Sequence, residues 1–206
     1  MTLLLVLFTV IVSVSALYKR EMFNKLKLNP YMVYHKKQWY RMISHGFVHA
    51  DGFHLAVNML VLFSFGDVIE MNFFKMEIDG TLIFPRLVYV LFYLLAIVVA
   101  STLTLKKYKD HHWYNSVGAS GGVAAIVFAA IFFDPYNPIY LFFIPIPIPG
   151  ILFGLAYLVY SYHMSTRGND NINHEAHFVG AVFGLSFPII INPKSFFDFV
   201  DRLLNF

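Results

Sequence analysis

Along the chain, six apolar runs alternate with polar segments. The first, Thr2 to Leu17, contains no charged residue and is followed at once by Tyr18-Lys19-Arg20. Sixteen residues are few for a hydrocarbon core of ~30 Å, so Tyr18 and the cations beside it are expected to anchor the run at the interface. Val14-Ser15-Ala16 resembles a signal-peptidase site, but no basic residue precedes the run, so 2–17 is read as a first span and not as a cleaved leader. Residues 18–52 are too charged to span and too rich in Trp, Tyr and Phe to serve as a linker, and are expected to fold against the membrane surface. A second span is expected over 53–69, bounded by Gly66-Asp67 and Glu70, then a mixed-charge loop over 71–86 and a charge-free, structural third span over 87–105. A polar loop leads to a short fourth span over 117–133, closed by Asp134-Pro135. Residues 136–149 end in Ile-Pro-Ile-Pro-Ile-Pro; prolines lack the amide donor and clash with the preceding turn, so this stretch is read as a loop. Spans five (150–162) and six (174–191) follow, separated by a polar loop over 165–173. With no internal repeat, the pattern predicts an all-α polytopic bundle forming one membrane domain over residues 1–206.

Composition supports this reading and closes off other chemistry. At 58% hydrophobic and 13% charged residues, with mean hydropathy +0.63, the chain is too apolar for an ordinary soluble domain. The absence of cysteine excludes a disulfide framework, a thiolate nucleophile and Cys-ligated zinc. The net charge of +3 is carried by residues beside the apolar runs, which suits lipid headgroups and not nucleic acid.

An ionisable group inside a span costs roughly 2.5 kcal/mol or more at the centre, so each survivor asks for a reason. The candidates are His54 with Asn58 in span two, and His174, Glu175 and His177 at the start of span six. Span four opens with Gly118-Ala119-Ser120-Gly121-Gly122, placing Ser120 at a helix start, where unpaired amides and the positive dipole end favour developing negative charge. Gly121, Gly122, Ala124 and Ala125 leave a face with almost no side-chain volume. Gly180 and Gly184 form a matching ladder below His177, so the two helices are expected to pack closely and bring its imidazole towards Ser120. His54 and Asn58, at i and i+4, share one helix face. The set contains a nucleophile, a general base and donors for an oxyanion, which are the parts of acyl transfer.

These residues resemble the rhomboid intramembrane serine proteases. Gly118-Ala119-Ser120-Gly121 is similar to the family's GxSG nucleophile motif, Ala176-His177-Phe178-Val179-Gly180 to its AHxxG base motif, and His54-Leu55-Ala56-Val57-Asn58 to its HxxxN oxyanion motif. Trp39-Tyr40-Arg41 with His45 and His49 is similar to the family's first loop, and Gly66 and Glu70 fall where the family places a glycine and a glutamate. The resemblance, over about residues 35–185, implies a bacterial-type, six-helix rhomboid-like bundle with the serine on a short central helix. It implies an intramembrane endopeptidase in which Ser120 attacks, His177 is the base, and His54, Asn58 and the Ser120 amide hold the oxyanion. Gly118 and His49 support the site, with His49 lending a donor near the oxyanion. No cofactor or metal is expected, and the partners are transmembrane protein substrates and the lipid bilayer. The sequence departs from the family at Ala124, where several members carry a tyrosine beneath the histidine, which leaves open the side chain that supports His177.

Other readings fit less well. The G-x-S-x-G elbow of soluble hydrolases needs a strand and a parallel sheet. His174-Glu175-Ala176-His177 has its histidines at i, i+3, whereas the H-E-x-x-H zinc motif needs i, i+4. His45 and His49 are read as ordering the first loop, and His111, His112 and His163 as solvated. Neither Asp134 nor Asp170 is assigned as a triad aspartate, so the expectation is a Ser-His dyad. Against the protease stand a non-catalytic client-binding or chaperone module and a small transporter, the latter without a visible inverted repeat. Eleven Lys and Arg lie on the side of the serine mouth against four on the side of the termini. By charge alone the mouth would face the cytoplasm; the resemblance implies a bacterial cytoplasmic membrane with the mouth opening outward.

Overall fold

The computed structural model describes residues 1–141, 144–167, 170 and 172–205. It is a helical membrane bundle, and its order follows the apolar runs. Helix α1 (Thr2–Tyr18) is followed by a surface segment holding α2 (Arg20–Leu26), α3 (Pro30–Lys36) and α4 (Arg41–Ser44), with a 3-10 turn over His45–Phe47. Next come α5 (Gly52–Ile78), α6 (Pro85–Ala100), α7 (Thr102–Tyr108) and α8 (Ser120–Phe133). A hairpin of β1 (Pro138–Leu141) and β2 (Ile144–Pro149) leads to α9 (Gly150–Arg167), α10 (His174–Ile191) and α11 (Ser195–Leu204).

Among the described residues, three helical segments are long and apolar enough to cross a membrane: Gly52–Ile78, Pro85–Tyr108 and His174–Ile191. Thr2–Tyr18 and Ser120–Phe133 are apolar but shorter. At 1.5 Å per residue, the 14 residues of α8 cover about 21 Å. This helix is the centre of the bundle, buried at every position from Gly121 to Phe132. Around its lower half the core is aromatic: Phe92 of α6 stacks on Phe187 of α10 at 4.4 Å, and Phe73 of α5 packs against both.

Several boundaries differ from those the sequence pattern suggests. Helix α5 runs nine residues beyond 69, because Phe73 and Met76 are buried in the core and continue the apolar stripe through a polar neighbourhood. Glu70 lies inside this helix, where its carboxylate accepts the Thr2 amide at 2.7 Å and pairs with the Met1 amino group. Gly66 leaves room for the same junction: a Cβ there would stand 2.6 Å from the Thr2 side chain and from the Tyr89 hydroxyl. The third run continues from α6 through α7 to Tyr108, and the fifth extends to Arg167. Residues 136–149 are not a plain loop: Ile139 pairs with Ile148 in an antiparallel register, with an irregularity before Leu141. The alternate prolines of β2 suit an edge strand. The amphipathic α11 was not expected; Phe199 stacks on Phe132 at 4.8 Å and Arg202 donates to the Phe133 carbonyl, tying it to the base of α8. Part of the loop expected over 165–173 lies outside the described residues.

Candidate active site

Ser120 is the first residue of α8 and is half-buried. Its amide and those of Gly121 and Gly122 open the helix and have no acceptor within it. The turn before it is held by the surface segment. Leu28 and Ser116 exchange backbone hydrogen bonds at 3.0 Å, the Gly118 amide donates to the His45 carbonyl at 3.0 Å, and the Ala119 amide donates to His49 Nε2 at 3.3 Å. The segment expected to lie on the membrane surface therefore also clamps the turn that leads into Ser120.

Helix α10 lies against α8 with main chain touching main chain. A Cβ on Gly180 would overlap the Gly121 carbonyl oxygen, and one on Gly184 would overlap that of Ala125. One on Gly121 would stand 3.3 Å from the Ala176 carbonyl oxygen. The residues next to Ser120 and His177 are thus in contact, as the glycine ladder implied. At the start of α10, Asn173 caps the helix by accepting the Ala176 amide and exchanges hydrogen bonds with Thr104 of α7.

His54 and Asn58 approach from the first turns of α5, which Asp51 caps by accepting the His54 amide at 2.7 Å. The His54 imidazole lies over Gly118, whose φ is +114° and whose missing side chain makes room: a Cβ there would stand 2.6 Å from His54 Cε1. Glycine is required here on both counts. One amide hydrogen of Asn58 Nδ2 goes to the His54 carbonyl at 2.9 Å, which leaves the second for another acceptor. A cavity of about 940 Å³ is lined by Gly118, Ser120, His177, His54 and Asn58 together.

His49 is fully buried and has both ring nitrogens engaged, Nε2 by the Ala119 amide and Nδ1 by Ser13 Oγ at 3.2 Å. It braces the turn and offers no N–H to the cavity, contrary to the donor role the resemblance implied. Burial pushes its imidazole down to about 3 and that of His45 to about 4, keeping both neutral. His45 meets Ser101 Oγ at 3.0 Å, so these two histidines order the first loop by hydrogen bonds. His112 and His163 are exposed, whereas His111 is half-buried between Tyr108 and Trp113. Asp170 meets His174 at 3.0 Å, and Asp134 accepts the Asn137 amide. Among the described residues no three His, Cys, Asp or Glu side chains cluster as a metal site would require.

The place left open by Ala124 is taken from another helix. Tyr157 of α9 stacks on the His177 ring, with centroids 6.4 Å apart and planes inclined by 26°. Sequence reasoning missed Tyr157 because α9 carries three tyrosines within six residues, and nothing local marks the one that faces the histidine. Ser13 was missed for the same reason, as one of several small polar residues in an apolar helix.

Comparison with known proteins gives the family. The rhomboid domain family matches residues 36–194. RHOMBOID-like protein 12, mitochondrial, from Arabidopsis thaliana is 32% identical over 144 residues, covering 68% of this chain and 43% of that protein. The chain thus spans less than half the length of this relative.

Proposed function

This chain belongs to the rhomboid family of integral membrane proteins, and from that premise we propose that it is an intramembrane serine endopeptidase. It hydrolyses peptide bonds in or near the transmembrane segments of other membrane proteins. Ser120 Oγ attacks the carbonyl carbon while His177 takes its proton and then returns it to the leaving amine; water repeats the sequence on the acyl-enzyme. The oxyanion forms at the mouth of α8, in the cavity that Ser120, Asn58 and His54 line, where the Ser120 amide, the second Asn58 amide hydrogen and the His54 ring are the donors and the helix dipole is positive. Water enters from the mouth side, because α8 is too short to reach both faces and its first residue opens into the cavity.

The observation that carries this reading is the close contact of α8 and α10. It brings the residues flanking Ser120 and His177 together in a cavity that His54 and Asn58 also line. Reconstituted protein given a model transmembrane substrate is expected to cleave it, and a fluorophosphonate is expected to label Ser120. Ser120→Ala and His177→Ala each abolish turnover while the protein stays folded, and the double variant is no worse, because the two act as a unit. Asn58→Ala and His54→Ala lower kcat by less than the dyad variants, within the ~10²–10³-fold typical of one lost oxyanion donor. EDTA and 1,10-phenanthroline leave the activity intact. Turnover in Ser120→Ala, or activity lost to chelators, overturns the proposal; absence of labelling in the wild type favours a non-catalytic client-binding role.

The proposed setting is a bacterial cytoplasmic membrane with the mouth opening away from the cytoplasm. The excess of cations near the mouth is then accounted for by headgroup binding along the surface segment, which carries seven of the eleven. A C-terminal phosphatase fusion that is active outside the membrane, with a silent fluorescent-protein fusion, would reverse the orientation.

A further inference from the structure

Ser13 lies near the end of α1, outside the residues that match the family, yet it reaches the nucleophile's turn through a single side chain. Its Oγ stands 3.2 Å from His49 Nδ1, and His49 Nε2 accepts the Ala119 amide at 3.3 Å. Ser13, His49 and Ala119 are all fully buried, so water cannot replace either bond. The amide decides where the imidazole proton sits. A backbone N–H only donates, so Nε2 must present its lone pair and Nδ1 must carry the proton. That proton needs an acceptor, and Ser13 Oγ is beside it. Burial keeps the ring neutral, which disfavours the doubly protonated form that would set one N–H against another.

We propose that Ser13 is a positioning residue for the reaction at Ser120. By accepting the His49 Nδ1–H it selects the tautomer whose Nε2 holds the Ala119 amide, and so fixes the turn that presents the Ser120 hydroxyl and amide to the cavity. Without the Ser13 hydroxyl, the working tautomer has a buried, unpaired N–H. The other tautomer satisfies neither the ring nor the amide. Helix α1 thereby takes part in catalysis at a distance, through one hydroxyl and one ring. The inference rests on the reading of Ser120 as the nucleophile.

Two measurements test it. In 15N spectra of histidine-labelled protein in bilayers, with His49→Gln to identify the signal, His49 is expected to carry its proton on Nδ1. An Nε2-protonated or doubly protonated ring overturns the proposal. In fluorophosphonate labelling, Ser13→Ala is expected to slow modification of Ser120 about tenfold, the size expected when one buried donor loses its partner. The same variant lowers kcat on a transmembrane substrate with KM within about twofold, since binding does not pass through this turn, and Ser13→Thr restores the rate. If Ser13→Ala does not fold, Ser13→Cys keeps the volume with a poorer acceptor and takes its place, while the wild-type spectrum remains decisive. Wild-type labelling that neither Ser13→Ala nor Ser13→Cys slows overturns the positioning role alone. Failure of the wild type to label at Ser120 overturns the protease reading, and the positioning role with it.

Discussion

Helices α9 and α10 both flank α8 near His177, but they hold it differently. Between α10 and α8 the backbones touch, with Gly180 against the Gly121 carbonyl and Gly184 against that of Ala125. Between α9 and α8 the contact is made by side chains: a Cβ on Gly154 would stand 3.3 Å from Ile131 Cδ1 and 3.4 Å from Phe128 Cε1. Among its described positions α9 buries only Gly150, Gly154 and Ser161, and Leu152, Leu155, Val159 and Tyr162 face outward. His177 thus sits on a helix fixed by main chain, whereas the ring that stacks on it, Tyr157, arrives on a helix seated by flexible groups. A main-chain contact leaves no freedom along the helix axis; a side-chain contact can repack.

The largest effect should come from Gly180→Ala. The added methyl meets a carbonyl oxygen that cannot yield, and overpacking costs ~1–3 kcal/mol or more. Labelling of Ser120 should be lost and the thermal midpoint should fall by roughly 10 °C. Wild-type labelling in this variant would break the comparison.

Tyr157→Leu comes next. Losing a ring stack of ~0.5–1.5 kcal/mol should lower kcat roughly three- to tenfold. Tyr157→Phe, which keeps the ring, should retain most of the rate. An unchanged rate in Tyr157→Leu would mean that His177 needs no support from α9.

Gly154→Ala sharpens the contrast from the opposite side. Its methyl meets only the far ends of Ile131 and Phe128, and the gain in helix propensity of about 1 kcal/mol offsets their adjustment. Labelling and the thermal midpoint, within about 2 °C, should match the wild type. If Gly154→Ala proved as damaging as Gly180→Ala, the two interfaces would be equally rigid.

The smallest effect concerns the connection between α9 and α10. The hydrogen bond from His174 holds the Asp170 carboxyl below its ordinary range. A depressed folded-state value gives stability that is present above the unfolded value near pH 4 and is lost as pH falls through the folded one. The thermal midpoint should therefore drop modestly between pH 5 and 3, and Asp170→Asn should flatten that drop. An equal drop in the variant would assign the acid sensitivity elsewhere.

The order of the apolar runs, the placement of Ser120 at a helix mouth and the small faces of α8 and α10 were legible in the residues, because each is a local pattern of hydropathy or side-chain volume. Gly121, Gly122, Gly180 and Gly184 were readable as close-packing positions from side-chain volume alone. His54 and Asn58 shared a face by spacing alone. The tertiary structure decided what such patterns do not carry. Helix α5 runs through a polar stretch because Phe73 and Met76 find a core to enter, and residues 138–141 and 144–149 form strands because Ile139 has Ile148 to pair with. Tyr157 under His177, and the chain of contact from Ser13 through His49 to Ala119, join residues far apart in sequence. Such bonds depend on where whole helices come to rest; no spacing along one helix encodes a partner on another.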